Sequence, residues 1–301
     1  MNISDKEDNI KRSQFLYTEV ANVINGLAGI NYALIKGEAL SIQAYKGVGF
    51  RKFGDIDILI DKINLKYVNT VIKENGFSQG ENSLELTRKE KIITNMAHQT
   101  TPYVKYKDGL KIKIDLNMNI YWEEVENKNI SIESFLEDTV FMDVYGYKIK
   151  TLNVKKAFLQ LCLHHYREMN SLYHLYYKNP ITTNMFKDVY ALVKNNSDTL
   201  NINCILNLCK TYNVKNYIYY VLFYTNEIFQ DNDIENILKN IYDDDGHALL
   251  TMYGLSAKER KNWRVDFKTR LDVSNVFDFI RDDFSDEDYS KIERSSRLFL
   301  R

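Results

Sequence analysis

Proline and cysteine are both scarce in this chain. Two prolines, Pro102 and Pro180, and twelve glycines among 301 residues leave few enforced breaks. That scarcity argues against a loop-rich fold and favours long helices. The three cysteines, Cys162, Cys204 and Cys209, form no C-x-x-C pair. With no histidine at zinc-finger spacing either, a zinc finger is excluded. An odd number of cysteines fits a reducing cytoplasm, and two of these lie on apolar helical faces, where a buried thiol is the ordinary occupant. Charge of one sign is also missing: 40 Lys+Arg against 41 Asp+Glu give a formal net charge of −1. Bulk nucleic-acid binding therefore has no global basic excess to draw on and would need a local patch. No run of about 18 uncharged apolar residues occurs, so no membrane span is expected. The opening MNISDKEDNIKRSQ is charged and carries no apolar secretion core, which makes a cytoplasmic location the expectation.

What the chain does have is enough apolar mass, 45% hydrophobic residues, for one large domain or two moderate ones. Ser4 and Glu7 form a candidate capping box. Behind them Ile10, Phe15, Leu16, Val20, Val23, Ile24 and Leu27 recur at helical spacing, ended by Gly29. Tyr32–Ile35 reads as the first core strand and Glu38–Tyr45 as a short helix, followed by the flexible loop Gly47-Val48-Gly49. A strand over 55–60 and an amphipathic helix over 64–75, stopped by Gly76, complete a strand–helix–strand–helix order. Residues 81–98 fit two strands or one helix. Two hairpins follow: Thr101–Tyr106 with Leu110–Asn119, turning at Lys107-Asp108-Gly109, and Val140–Tyr145 with Tyr147–Leu152, turning at Gly146. A short helix over Ile132–Phe135 precedes the second. Beyond Asn153 the pattern becomes helical, over about 154–169, 182–195, 200–212, 214–230 and 233–242. The expected division is a 1–150 α/β domain and a 151–301 helical domain.

The chain is organised around Leu34–Ile60, LIKGEALSIQAYKGVGFRKFGDIDILI. Side chains at i and i+2 of a strand share a face, so Asp55 and Asp57 point together while Ile56, Ile58 and Ile60 point into the apolar side. A bare D-x-D is common, and on an edge strand its acids are simply solvated. Two carboxylates about 4 Å apart repel by roughly 4 kcal/mol at an effective dielectric near 20, so a shielded pair calls for a cation. Mg²⁺ takes carboxylate oxygens while keeping waters and substrate phosphates. Upstream, Lys36-Gly37 closes a strand and opens a helix, which lets backbone N–H groups approach an anion. Arg51, a fixed-charge phosphate donor, lies between. In Leu110–Asn119, Ile112, Ile114 and Leu116 share one face and Lys111, Lys113, Asp115 and Asn117 the other. Asp115 is then either a solvent-facing acid balanced by Lys111 and Lys113 or a third acid facing the pair.

Lys36-Gly37, the run Arg51-x-Phe53-Gly54-Asp55-Ile56-Asp57 and the later strand acid Asp115 resemble the nucleotidyltransferase superfamily that includes DNA polymerase β. The resemblance is nearest to its bacterial "nucleotidyltransferase family protein" branch and covers about residues 15–195. It departs at Gly37-Glu38, where the superfamily has Gly-Ser, in the seventeen residues separating Gly37 from Asp55, and at Asn117, where histidine is frequent. The resemblance implies an α+β fold: a polymerase-β-like core of mixed sheet and flanking helices, followed by a mainly helical domain that closes the cleft and selects the acceptor. It implies an enzyme that moves a nucleoside monophosphate from an NTP such as ATP to a small molecule, peptide, protein or RNA. Asp55, Asp57 and Asp115 would be catalytic and hold Mg²⁺ or Mn²⁺, and Lys36, Gly37 and Arg51 would bind phosphates. Replacing Asp57, expected at an exposed position, by Asn should stop turnover without unfolding. The alternatives are a toxin-like transferase acting on tRNA or protein, and a silent nucleotide-binding or scaffold protein of a peptide-maturation complex associated with a neighbour-encoded protein.

Three further features invite weighing. His164 and His165 are adjacent on a helix and point about 100° apart, which disfavours a shared ion and leaves a structural role or a place along the acceptor side. Tyr217, Tyr219, Tyr220, Phe223, Tyr224 and Phe229 could stack bases but at helical spacing more often form core. Asp243-Asp244-Asp245 reads as a solvated helix terminus in preference to a second metal site. The last sixty residues carry no readable site.

Overall fold

The computed structural model describes residues 3–80, 98–122, 130–177 and 181–299. The ambiguous segment 81–98 falls outside them except for His98. The described residues form an α+β fold with two compact units. One runs to Tyr121 and includes the segment ending at Ala157; the other comprises Phe158–Ser296 with Trp122. The division falls after Ala157 rather than at residue 150 because Tyr147–Leu152 is a strand of the first unit's sheet.

In the first unit, helix α1 (Ile3–Gly26) precedes strand β1 (Tyr32–Ile35), helix α2 (Gly37–Tyr45) and strand β2 (Ile56–Ile60). A single 3₁₀ turn leads into α3 (Leu65–Glu74), followed by the short β3 (Ser78–Gln79). Two hairpins complete the sheet: β4 (Tyr103–Lys107) with β5 (Leu110–Asn117), and β6 (Thr139–Val144) with β7 (Tyr147–Leu152). The strand order is β3-β4-β5-β2-β1-β7-β6. β2 therefore lies in mid-sheet, antiparallel to β1 and parallel to β5.

The period-two pattern decides what each face carries. Ile56, Ile58 and Ile60 of β2 join Leu34 of β1 and Ile112, Ile114 and Leu116 of β5 in one apolar core. Leu16, Val20, Val23 and Ile24 of α1 and Val68 and Ile72 of α3 belong to the same core. The opposite face is left to Asp57, Asp115 and Asn117. Both hairpins turn through two residues of positive φ, Asp108 (51°) with Gly109 (75°) and Tyr145 (56°) with Gly146 (82°). Mirror-image turns of this kind match the twist of the flanking strands. Lys107 pairs with Leu110 and so belongs to the strand, not to the turn expected from the sequence.

The second unit is mainly helical. The helix Val154–Asn170 runs into it from the first, and Leu172–Tyr177, Thr183–Lys194, Ile202–Tyr212, Lys215–Phe229 and Asn232–Asn240 follow. Shorter pieces include Asp244–Leu249, the strand pair Met252–Tyr253 with Lys261–Asn262, and Phe267–Asp272; Asp286–Phe299 closes the described chain. The aromatic run is core. Tyr217, Tyr219, Tyr220 and Tyr224 are buried, and Tyr217 packs edge-on to Trp122 with ring centroids 5.1 Å apart. Tyr224 stacks on Phe267 at 4.0 Å. Cys162 and Cys209 are buried free thiols, and burial pushes Cys209 up to about 12, which keeps it protonated. No helix among the described residues is long and apolar enough to cross a membrane.

Candidate active site

β1 ends in a left-handed turn. Lys36 has φ 60° and ψ −139°, and Gly37 has φ 46°. Lys36 is thus held in a region that side-chain-bearing residues rarely occupy, at a cost of order 1–3 kcal/mol, and such strain clusters at functional sites. Gly37 opens α2, and Arg51 Nη1 donates to its carbonyl at 3.4 Å, bringing a guanidinium to the turn.

Beside this turn lie the acids. Asp57 on β2 and Asp115 on β5 are direct Cα partners across parallel strands, and Asp55 stands two residues before Asp57. The two inner side chains are 9% exposed and Asp55 is 34% exposed, so the cluster is closed on the inside and open at Asp55. Asp57 is therefore buried, not exposed as expected from the sequence, because β1 and β5 cover both edges of β2.

Each acid has a partner. Lys36 Nζ lies 3.0 Å from Asp57 Oδ1, and Asn117 Nδ2 donates to the same oxygen at 3.1 Å. Lys113 Nζ lies between two carboxylates, 2.9 Å from Asp115 Oδ2 and 3.3 Å from Asp55 Oδ2. Asp115 Oδ1 is buried with no hydrogen-bond partner among the described residues. Three carboxylates and two ammonium groups leave one formal negative charge, so lysines already relieve much of the repulsion that the sequence reading assigned to a divalent ion.

Electrostatics separate the members. Burial, then the charge of Asp57, raises Asp115 to about 6 despite the opposing pull of Lys113. Burial works against the Lys113 charge, but Asp115 and Asp55 outweigh it and hold the ammonium well above the ordinary lysine range. The raised Asp115 has a consequence for stability. Its folded-state value exceeds the unfolded one, near 3.8. The folded protein therefore binds that proton more tightly, and stability is lost as pH climbs from about 4 through 6. A shift of about two units corresponds to roughly 3 kcal/mol at most. In Asp115→Asn this loss is absent, while Lys113 stays charged across the window. Denaturant unfolding at pH 4 and pH 7.5 in chelator should show the variant gaining on the parent as pH rises; parallel pH profiles would refute the assignment.

The sequence offered Lys113 as a counter-charge to Asp115, but its second contact with Asp55 and the bond from Asn117 to Asp57 were missed. The signal was present, since Lys113 and Asn117 share the period-two face of Asp115. Glu38, standing where the resemblance calls for serine, turns away from the acids. Its buried carboxylate accepts from the Gly49 N–H and from the Tyr145 hydroxyl.

In the second unit, the ligating atoms of His164, His165 and Glu168 all lie within 4.8 Å of one another. The 100° separation of neighbouring helical positions therefore does not keep the three groups apart. His164 Nε2 is 3.3 Å from Glu168 Oε2 one helical turn on, and His164 Nδ1 lies 3.5 Å from Arg167 Nη2. Asp243 caps its helix, accepting from the Gly246 N–H at 2.8 Å.

Residues 4–230 match a sequence family described as "Uncharacterised nucleotidyltransferase". No curated protein matches the chain. Among solved structures, an antigenic nucleotidyltransferase-like protein from Paracoccidioides brasiliensis is similar at 13% identity and a TM-score of 0.38, over 69% of this chain and 92% of that one.

Proposed function

Because the chain belongs to this uncharacterised nucleotidyltransferase family, we propose that the acid pocket on β2 and β5 transfers a nucleoside monophosphate from an NTP to an acceptor hydroxyl, releasing pyrophosphate. The observation that carries the proposal is the register that makes Asp57 and Asp115 direct partners, with Asp55 tied to Asp115 through Lys113. Together with the Lys36-Gly37 turn and Arg51, it supports a polymerase-β-like arrangement.

The donor set suits a hard divalent ion. Three carboxylates supply oxygen, and the buried Asp115 Oδ1 awaits a partner. Asp55, Asp57 and Asp115 would hold Mg²⁺, or Mn²⁺, which when bound supplies Lewis-acid stabilisation of charge on the phosphates. The protein's own groups do the rest. The Gly37 turn and Arg51 receive the triphosphate, and Lys36 and Arg51 offset negative charge developing on the leaving pyrophosphate. Asp115, the acid on β5 beside Asp57, is the group placed to take the acceptor proton. The oxygen so activated bonds to the α-phosphorus as the bond to the β-phosphate oxygen breaks.

The test compares α-labelled with γ-labelled NTP incubated with the protein, Mg²⁺ and cell extract. Label should enter an acceptor only from the α position, with pyrophosphate appearing in step. Transfer from the γ position would make the protein a kinase and overturn the proposal.

A further inference from the structure

Lys113 belongs to β5, paired on one side with Val104 of β4. Its ammonium lies 2.9 Å from Asp115 Oδ2 and 3.3 Å from Asp55 Oδ2. Those are charge-assisted contacts to two carboxylates, one on β5 and one immediately ahead of β2, the position a bridging cation would take. Lys36 differs, touching the single carboxylate Asp57 at 3.0 Å. A lysine ammonium is a compact point charge, so it can satisfy two carboxylates without the fixed geometry that Mg²⁺ demands. A divalent ion bridging the same two oxygens would have to sit against this ammonium, and two cations in contact repel. The oxygen that Lys113 leaves is Asp115 Oδ1, buried and without a hydrogen-bond partner among the described residues.

We propose that Lys113 serves as a built-in second cation: its ammonium holds the bridge between Asp55 and Asp115, so the pocket takes one divalent ion rather than two. The inference rests on the nucleotidyl-transfer reading of this pocket, and it concerns how many ions the pocket holds, not whether it transfers. Asp57 and the oxygens of Asp55 and Asp115 that Lys113 does not engage would hold the single ion. Lys113 supplies the remaining positive charge permanently, and pocket assembly needs one ion fewer.

Counting bound Mn²⁺ tests this directly. Mn²⁺ is titrated into the full chain with a saturating non-hydrolysable NTP, and protein-bound ions are counted by electron paramagnetic resonance. The expected result is one Mn²⁺ per chain for the parent and for Lys113→Arg, and two for Lys113→Met, which keeps the side-chain length but not the charge. Two ions in the parent would overturn the proposal and leave the transfer reading intact. One ion in Lys113→Met, folded by circular dichroism, would overturn it as well. Should Lys113→Met fail to fold, the parent's count decides. No bound ion in any of the proteins would overturn it too, and label transfer by the parent in chelator would then show whether the transfer reading survives without metal.

Discussion

Asp57→Asn should lower label transfer by about a hundredfold or more while the protein keeps its fold. An interaction aimed at charge that develops in the transition state is typically worth this much or more. The substitution preserves shape in a shielded place, since Asp57 is buried. An asparagine oxygen can still accept from Lys36 Nζ and Asn117 Nδ2, which lie 3.0 and 3.1 Å from Asp57 Oδ1. What disappears is one negative charge from a three-acid cluster. Its loss weakens the grip on a cation and also removes one of the charges that raise Asp115. With that repulsion relieved, stability should change little, so a lost rate cannot be ascribed to unfolding. Asp115→Asn should be equally slow for a different reason, the missing proton acceptor, and the two losses should not add, because both residues serve one step. Initial rates with α-labelled NTP and thermal unfolding of the same preparations make the comparison. Transfer by either variant within about threefold of the parent would remove the pocket from the mechanism.

Local rules made much of this site visible in the sequence. Strand alternation separated Ile56, Ile58 and Ile60 from Asp55 and Asp57, and the same period placed Asp115 opposite Ile114 and Leu116, as the core membership of those residues bears out. Asp108-Gly109 announced a tight turn because few other pairs accept positive φ twice. The first helix ended three residues early, at Gly26 rather than Gly29, since Ala28 and Ile30 continue with turn-like bonds to Asn25 and Leu27. What the sequence could not reveal depended on which strand lies beside which. The burial of Asp57 and the bridge made by Lys113 follow from β2 and β5 being parallel neighbours although Asp55 and Lys113 stand 58 positions apart in the chain. In the second unit two acids of the final stretch serve as helix caps, the first at the terminus that Asp243-Asp244-Asp245 had suggested. Asp243 and Asp266 accept from the N–H groups of Gly246 and Thr269, both at 2.8 Å, and start helices too short to show periodicity.

Glu38→Ser, which installs the residue that the resemblance would call for, should destabilise the protein rather than improve it. Glu38 is fully buried at the start of α2. Its two carboxylate oxygens accept from the Gly49 N–H at 3.2 and 3.0 Å, and the Tyr145 hydroxyl donates to it at 2.6 Å. Gly49 cannot be repositioned freely: its φ is +78°, and a Cβ there would lie 2.5 Å from Ile10 Cγ1. Ser41 secures the same loop, donating to the Gly47 carbonyl and accepting from the Phe50 N–H. A serine hydroxyl at position 38 is too short to serve both partners, so a buried N–H and a half-buried hydroxyl lose their acceptor. Each such loss costs about 1–3 kcal/mol. The sum, about 2–6 kcal/mol, should lower the melting temperature by roughly 4–24 °C, taking about 2–4 °C per kcal/mol. Transfer should fall as well, because the loosened loop leads directly to Arg51. Glu38→Gln, which keeps one acceptor oxygen and the length, should lose about half as much stability. A Glu38→Ser protein that melts with the parent and transfers as fast would show that the carboxylate is dispensable and that the departure from Gly-Ser has no structural cause.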